Sequence, residues 1–213
     1  MANGDAKRGV LLDALGTLVE LEPPAPFLVA ELAQRWGVEI SVAEAEAALA
    51  TEIGYYKAHH LEGRDEASLA ELRQRCAGVL HGALPTVVRE RVDRDELAPA
   101  LLASLRFRAY SDVPAWLAVL RAAGLKLAVV SNWDVSLGEV LEVVGIADLL
   151  DCVVTSAAVG AAKPDPAPFE RALECLGLGP EEVVHLGDSP GLDLPGAAAA
   201  GIEAVLISRR AGS

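Results

Sequence analysis

The stretch GVLLDALGTL, residues 9–18, changes abruptly from apolar to polar and small residues. Its first part, Gly9–Leu12, is short, apolar and without alternation, which is typical of a strand buried on both faces. Asp13 follows directly, at the point where such a strand would end. The stretch therefore predicts one strand of a parallel sheet with a carboxylate at its carboxyl end.

Four further apolar, β-branched-rich runs occur in the second half of the chain, and we predict them as strands: Leu125–Val130, Cys152–Thr155, Val183–Leu186 and Ala204–Ile207. Helical patterns lie between them, at Val135–Val144, at Pro166–Leu176 with Asp165 placed to cap it, and at Leu194–Ala200. Alternation of strands and helices implies right-handed crossovers and a doubly wound α/β fold.

Residues 22–105 behave differently, because they show helical patterns rich in Ala, Leu, Glu and Arg and no convincing strand. These patterns cover Pro24–Trp36, Val42–His60, Glu66–His81 and Glu96–Leu105. We therefore predict an α/β core formed by residues 1–21 and 106–213, interrupted by an all-helical domain at residues 22–105.

Composition restricts the class of partner. The 213 residues carry a formal charge of −13, which repels phosphate backbones and anionic lipid, so we expect no nucleic-acid or membrane partner. The segment from Lys7 to Val19 lacks a cleavage site and no run is long enough to span a bilayer, so we expect a cytoplasmic protein. Cys76, Cys152 and Cys175 have neither metal-ligand nor redox spacing, which predicts three reduced thiols in a reducing compartment.

Polar side chains follow four of the predicted strands: Asp13, the pair Ser131-Asn132, Lys163, Asp188 and, five residues further, Asp193. Taken singly, each is a common turn, cap or surface residue. Ligands of open parallel sheets bind at the carboxyl ends of the strands, so we expect these side chains to lie together. Clustered carboxylates resist ionising unless a cation compensates their charge, and oxygen ligands favour Mg²⁺. The grouping therefore predicts a site for phosphate and a divalent cation.

Four motifs occur in this order along the chain: Asp13-x-x-Gly16-Thr17-Leu18, Ser131-Asn132, Lys163-Pro164-Asp165-Pro166 and Gly187-Asp188-Ser189-x-x-x-Asp193-x-x-Gly196-Ala197. Together they resemble the haloacid dehalogenase-like superfamily, and the resemblance covers the whole core. It implies a Rossmann-like doubly wound sheet whose first strand lies between the strands that carry Ser131 and Asp188. It also implies a helical cap inserted after the first motif, as in helical-cap subfamily I, and residues 22–105 match that cap in position and size.

The resemblance further implies a hydrolase, of the phosphatase type, that acts on a small phosphorylated metabolite. Asp13 would attack phosphorus and form an aspartyl-phosphate, while Ser131 and Lys163 hold the oxygens of the transferring group. The implied cofactor is Mg²⁺, bound by a set that comprises Asp13, the backbone carbonyl of Leu15, Asp188 and Asp193, the last acting behind the metal or on Lys163. The implied substrate contacts in the core are Gly16, Thr17 and Asn132.

Leu15 departs from the family pattern. The family's phosphatases carry a second aspartate there, which protonates the leaving alcohol and then activates water, a function worth about 10²–10⁴-fold in rate. Three readings stay open: a phosphatase that is slow or borrows an acid, a 2-haloacid dehalogenase, or a noncatalytic phosphate-binding or regulatory protein. The dehalogenases usually have an apolar aromatic residue in place of Leu15, but they use no metal and lack a carboxylate at the position of Asp188.

The segment Tyr55-Tyr56-Lys57-Ala58-His59-His60 concentrates aromatic and basic groups within the predicted helical domain. Helical spacing places Tyr56 with His60 on one face and Tyr55 with His59 on another. A histidine from this segment, with His60 as our candidate for substrate contact, could supply the proton that Leu15 cannot. His81 and His185 are weaker candidates, because the first lies at a helix end and the second inside a strand.

Overall fold

A computed structural model describes residues 7–209, and its chain forms two compact units. One unit contains the chain up to Glu20 and from Arg108 onward, and the other is Leu21–Phe107. The strands are β1 (Gly9–Leu12), β2 (Val19–Leu21), β3 (Phe107–Ala109), β4 (Lys126–Ser131), β5 (Cys152–Thr155), β6 (Val183–Gly187) and β7 (Glu203–Leu206). The helices are α1 (Pro24–Trp36), α2 (Val42–His59), α3 (Glu66–Ala83), α4 (Thr86–Arg91), α5 (Ala98–Ser104), α6 (Val113–Ala122), α7 (Leu137–Val143), α8 (Ser156–Val159), α9 (Ala167–Leu176) and α10 (Asp193–Ala199).

The first unit is built on a parallel sheet of five strands in the order β5-β4-β1-β6-β7. The predicted α/β fold class is thus confirmed, and β1 does lie between the strands that carry Ser131 and Asp188. Leu12 pairs with Val129 of β4 and with Leu186 of β6, so these three strands end at nearly the same level. Strands β2 and β3 form a separate two-stranded sheet.

One face of the five-stranded sheet packs against α9 and α10. Leu11, Val130 and Val154 of the sheet share an apolar cluster with Phe169 and with Ala197 of the helices. This burial explains the continuous apolar runs, since a strand covered on both faces has no side that must be polar. The three helices predicted between the strands are present within two residues at each end, but α6 was not predicted.

The second unit consists of α1–α5 around its own apolar core, to which all five helices contribute. Capping boxes fix two of the helix starts: Ser41 with Glu44 begins α2, and Asp65 with Ser68 begins α3. The predicted helix Glu96–Leu105 is instead a 3₁₀ turn followed by α5, whose first turn contains Pro99. Proline suits this first turn because it has no N–H to donate.

The prediction of three reduced thiols is wrong for two of them. Cys152 at the start of β5 and Cys175 in α9 form a disulfide, with their Cα atoms 6.5 Å apart, whereas Cys76 is a buried thiol outside this disulfide. The pairing arises because α9 packs back along β4 and β5, which a separation of 23 residues in sequence does not reveal. Cysteine usage therefore no longer supports a reducing compartment. No helix among residues 7–209 is long and apolar enough to cross a membrane.

Glu52 is an unusual member of the helical unit, because its carboxyl group is buried on α2 with 3% of the residue exposed. Burial raises the pKa of this carboxyl above its ordinary value, and a hydrogen bond with Cys76 opposes that shift only in part. The folded state therefore prefers the protonated form of Glu52 more strongly than the unfolded chain does.

We expect Glu52→Gln to raise the free energy of unfolding at neutral pH. Wild-type stability falls as the pH rises through the interval between the ordinary pKa of 4.5 and the raised folded value, and stays lower above it. Glutamine carries no charge, so the variant lacks this loss. Urea unfolding at several pH values measures the difference, and each kcal/mol gained corresponds to roughly 2–4 °C in Tm.

The control for this prediction is Glu46→Gln, which removes an exposed carboxylate from the same helix. Its effect on stability should be small at every pH. A gain from Glu52→Gln that persists undiminished below pH 4 would contradict the argument, since there both states of the wild type are already protonated.

Candidate active site

The carboxylate of Asp13 lies at the carboxyl end of β1, as the sequence predicts. Its backbone N–H donates to the carbonyl of Leu186 at 2.9 Å, so sheet pairing continues to this residue. Its Oδ1 accepts hydrogen bonds from Ser131 Oγ at 3.2 Å and from Lys163 Nζ at 2.6 Å. All three side chains are buried. Two donors on one oxygen fix the rotation of the carboxylate.

Lys163 joins Asp13 to Asp193. Its Nζ lies 2.6 Å from Asp13 Oδ1 and 2.7 Å from Asp193 Oδ1, and its side chain is only 3% exposed. A buried ammonium is tolerated only where charge and hydrogen bonds compensate its loss of water, and the two carboxylates supply both. The structure therefore brings the predicted nucleophile, Lys163 and Asp193 into one chain of contacts.

The side-chain amide of Asn132 forms two hydrogen bonds with the main chain of Lys163. Its Oδ1 accepts from the N–H of Lys163 at 2.7 Å, and its Nδ2 donates to the carbonyl of the same residue at 3.0 Å. The peptide bond between Lys163 and Pro164 is cis. Asn132 thus holds the backbone of Lys163, and its predicted contact with substrate stays a prediction.

Gly16 permits the close approach of Asp188. Its φ of +84° is costly for other residues, and an added Cβ would lie 2.1 Å from Asp188 Oδ2. Thr17 beside it is fully buried, and its carbonyl accepts two hydrogen bonds from Arg209. Glycine at position 16 therefore brings the loop after β1 against the carboxylate after β6, whereas a substrate contact through Thr17 stays a prediction.

The three predicted carboxylates form one acidic cluster. Asp13, Asp188 and Asp193 each present an oxygen within 4.8 Å of the others. Partial burial, followed by the charges of Asp13 and Asp193, raises the pKa of the Asp188 carboxyl. Burial also acts to raise the pKa of Asp193, but hydrogen bonding to His185 and the charge of Lys163 hold it well below its ordinary value. A cation in the cluster would offset the repulsion that acts on Asp188.

Leu15 is 41% exposed, although it is a large apolar residue. It forms an isolated bridge with Val19, and the neighbouring Gly16 N–H donates to the carbonyl of Val19. Because residue 15 is a leucine, its side chain offers no acidic group at this position of the loop. These contacts do not test whether the Leu15 carbonyl binds a metal ion, so that contact stays a prediction.

The two predicted aromatic–histidine pairs both occur in the helical unit. The rings of Tyr55 and His59 stack with centroids 3.9 Å apart, and those of Tyr56 and His60 are tilted with centroids 6.2 Å apart. His60 is buried, with its Nδ1 2.9 Å from the carbonyl of Lys57. Its Nε2 has no partner among residues 7–209. A role for His60 in substrate contact stays a prediction.

Sequence reasoning missed the contacts of His185 and Arg209. His185 is fully buried in β6 and contacts Asp193, and Arg209 binds the carbonyl of Thr17 and the carboxylate of Asp112. For His185 a signal did exist, because it stands two residues before Gly187 and so shares a face of β6 with it. For Arg209 no local pattern indicated the contact.

Comparison with known proteins places the chain among hydrolases. A family model described as haloacid dehalogenase-like hydrolase matches residues 7–201. A haloacid dehalogenase-like hydrolase domain-containing protein 3 from Bos taurus is 39% identical over 124 residues, and this match covers 54% of the chain and 49% of that protein. The chain therefore aligns with only about half the length of that relative.

Two further matches extend over most of the chain. A phosphoserine phosphatase from Thermus thermophilus is 32% identical over 219 residues, which covers 94% of the chain and 88% of that protein. The crystal structure of a defluorinating L-2-haloacid dehalogenase has a TM-score of 0.69 at 26% identity and covers 93% of the chain and 80% of that structure. Similar proteins thus include both a phosphatase and a dehalogenase.

Proposed function

Because the chain belongs to the haloacid dehalogenase-like hydrolases, we propose that it is a Mg²⁺-dependent phosphatase of small phosphorylated metabolites with Asp13 as nucleophile. The observation that carries the proposal is Asp188, a second carboxylate within ligand distance of Asp13. Partial burial and the charges of Asp13 and Asp193 raise the pKa of Asp188, so a site that worked without a cation would gain nothing from a third carboxylate. The similarity to a phosphatase over most of the chain supports the same class.

The donor set fits Mg²⁺, which prefers carboxylate and carbonyl oxygens. We assign Asp13, Asp188 and the carbonyl of Leu15 as ligands. Asp193 already accepts hydrogen bonds from Lys163, His185 and the N–H of Ser189, so we place it behind the metal. When bound, the cation would offset the charge of the carboxylates and of the phosphoryl oxygens.

Asp13, Lys163 and Ser131 have different roles in the proposed hydrolysis of a phosphate ester. Asp13 forms a bond to phosphorus while the bond from phosphorus to the leaving oxygen breaks, which gives an aspartyl-phosphate and an alcohol. Lys163 and Ser131 hold Asp13 and bind the phosphoryl oxygens, where positioning and charge stabilisation matter most. Water then attacks phosphorus and releases phosphate with Asp13 restored.

The proton of the leaving alcohol must come from a group other than residue 15. We propose water as its source, because His60 Nε2 is buried within the helical unit. Proton transfer from a poorly placed donor is slow. We therefore expect low turnover with alkyl phosphates, which have basic leaving groups.

We expect Mg²⁺ to raise the Tm of the wild type and to have little effect on Asp188→Asn. A ligand that binds only the folded state stabilises it by about 2.7 kcal/mol at a hundredfold excess over Kd. The variant should also be the more stable protein without metal, because it loses a carboxylate whose pKa is raised by partial burial and by the charges of Asp13 and Asp193. Differential scanning fluorimetry with and without Mg²⁺ measures both effects.

Asp148→Asn is the control for this experiment. Asp148 is exposed, and it lies before β5, at the amino end of that strand. The Asp148→Asn variant should show the same response to Mg²⁺ and the same stability as the wild type. Equal responses to Mg²⁺ in wild type and Asp188→Asn would refute the assignment of Asp188 as a ligand.

A 2-haloacid dehalogenase is the second candidate. Leu15 favours it, because halide needs no proton to leave, and so does the likeness to a dehalogenase structure at 26% identity. Asp13 would then attack carbon and displace halide, and the resulting ester would be hydrolysed. Asp188 argues against this candidate, since such a reaction needs no cation.

One experiment separates the two functions. Release of inorganic phosphate from phosphorylated metabolites that requires Mg²⁺ and stops with EDTA supports the phosphatase. Release of halide from a 2-haloacid in EDTA supports the dehalogenase and overturns our proposal. Neither activity, combined with thermal stabilisation by phosphate, would support a noncatalytic phosphate-binding protein.

A further inference from the structure

His185 contacts the active-site cluster from inside the sheet. Its Nε2 lies 2.9 Å from Asp193 Oδ1, and both side chains are almost wholly inaccessible to solvent. His185 stands on β6, which ends at Gly187, directly before Asp188. The four sequence motifs do not include this histidine, and it is too deeply buried to touch a substrate.

The carboxylate of Asp193 occupies a slot formed by β6. Residues 185 and 187 are two apart, so their side-chain positions share one face of the strand. A Cβ at Gly187 would lie 2.3 Å from Asp193 Cγ, which shows that the carboxylate rests against this glycine. Because glycine has no side chain, it leaves room for the Asp193 carboxylate, which His185 contacts.

The hydrogen-bond pattern fixes which ring nitrogen carries the proton. An ionised carboxylate only accepts hydrogen bonds, so His185 Nε2 must donate. His185 Nδ1 is buried without a partner among residues 7–209, and the ring meets Phe169 edge-on with centroids 4.9 Å apart. In this apolar surrounding, a buried Nδ1 without a proton costs less free energy than a buried Nδ1–H without an acceptor. This difference favours the tautomer that is protonated on Nε2.

Asp193 distributes its two oxygens among three donors. Oδ1 accepts from Lys163 Nζ at 2.7 Å and from His185, and Oδ2 accepts from the N–H of Ser189 at 2.9 Å. Without the imidazole donor, Oδ1 would keep only its bond from Lys163 Nζ, which Asp13 also attracts. The carboxylate would then be less firmly fixed, and so would the position of Lys163 Nζ.

We propose that His185 is a positioning residue whose Nε2–H fixes Asp193, so that Asp193 holds Lys163 Nζ against Asp13. The orientation of Lys163 follows from the contacts alone. Its consequence for turnover rests on the proposed phosphatase function. The effect of His185 on catalysis is thus exerted through two other side chains.

The test compares three substitutions of His185 that differ in whether the new side chain can donate a hydrogen bond to Asp193. Glutamine places Nε2 the same number of bonds from Cα as histidine does, so His185→Gln keeps a donor for Asp193. Methionine has nearly the same length and is apolar, so His185→Met removes the donor. Asparagine keeps the amide but is one bond shorter, so His185→Asn cannot reach.

The first readout is independent of any activity. The ¹⁵N signal of the Lys163 ammonium, assigned by its loss in Lys163→Met, should stay sharp in wild type and His185→Gln. It should shift and broaden in His185→Met and His185→Asn. Similar spectra in all three variants, or loss of the signal in His185→Gln, would overturn the proposal. Ring ¹⁵N shifts of the wild type add a check that needs no variant, since a proton on Nδ1 and not Nε2 would also overturn it.

The second readout is kinetic and depends on turnover. With a Mg²⁺-dependent substrate, kcat should fall about tenfold in His185→Met and His185→Asn, with a smaller change in KM, and recover to within about threefold in His185→Gln. Equal losses in all three variants would show that only the packing of the imidazole matters. If the wild type hydrolyses no phosphate ester, the proposed function fails, but the ammonium spectra still decide the role of His185.

Discussion

Asp13→Asn is expected to abolish hydrolysis, with a loss of kcat of at least about 10⁴-fold. An amide cannot form the bond to phosphorus that the reaction needs. The substitution keeps the shape of the side chain, and its carbonyl oxygen can still accept the hydrogen bonds from Ser131 and Lys163. The loss would therefore report chemistry and not a change of fold. Phosphate release and circular dichroism measure the two separately.

Beryllium fluoride provides a direct check on the same residue, because it mimics a phosphoryl group attached to a carboxylate. With Mg²⁺ it should raise the Tm of the wild type well above the value with Mg²⁺ alone, and it should do little for Asp13→Asn. Asp148→Asn, at the other end of the sheet, should behave as the wild type. Turnover by Asp13→Asn at the wild-type rate would exclude covalent catalysis by Asp13.

Leu15→Asp is expected to increase phosphatase turnover by on the order of 10²-fold, because it restores an acid beside the nucleophile. The structure favours this gain, since Leu15 is 41% exposed and a carboxylate there need not be desolvated. The cluster of Asp13, Asp188 and Asp193 should raise the pKa of the new carboxyl and so favour its acid form. The backbone carbonyl of residue 15 is unchanged, so no proposed metal ligand is lost.

The choice of substrate shows whether the gain comes from proton transfer. Alkyl phosphates have basic leaving groups and should gain most, whereas aryl phosphates need little protonation and should gain least. Leu15→Asn is the matched control, because it has the size and polarity of aspartate without an acidic proton. It should produce no gain with either substrate.

A flat result for Leu15→Asp would also be informative. If the variant folds, responds to Mg²⁺ and still hydrolyses both classes of phosphate no faster than the wild type, the missing acid does not limit the reaction. The dehalogenase or the noncatalytic alternative would then explain Leu15 better. An equal gain from Leu15→Asn would indicate that polarity at the site, and not acid catalysis, had been limiting.

Local sequence was sufficient to predict the sheet. The run Gly9–Leu12 is a strand with the predicted bounds, and Cys152–Thr155 is as well. Both are apolar segments whose burial on two faces is visible in the residues themselves. Position at strand ends also predicted that Asp13, Ser131 and Asp188 would meet, because parallel strands bring their carboxyl ends to one edge.

The helical unit was harder to predict where the pattern is weak. Helix α1 has the predicted bounds, whereas α4 was missed and the last predicted helix starts late, after a 3₁₀ turn. Short helices depend on packing more than on propensity. The burial of Glu52 was missed as well: position 52 follows the buried positions 45, 48 and 49 of α2 at helical spacing, but a glutamate usually faces water.

By itself, then, the sequence determined the parallel core, the order of its motifs and the identity of the acidic cluster, because each strand is visible in a local apolar run and parallel strands bring the residues that follow them to one edge. Only the tertiary structure decided that Cys152 bonds to Cys175, that Asn132 holds the backbone of Lys163, and that His185 supports Asp193. The two partners of each contact lie on different elements of the fold. Their distance is set by how helices and loops pack on the sheet, which no pattern along the chain encodes locally.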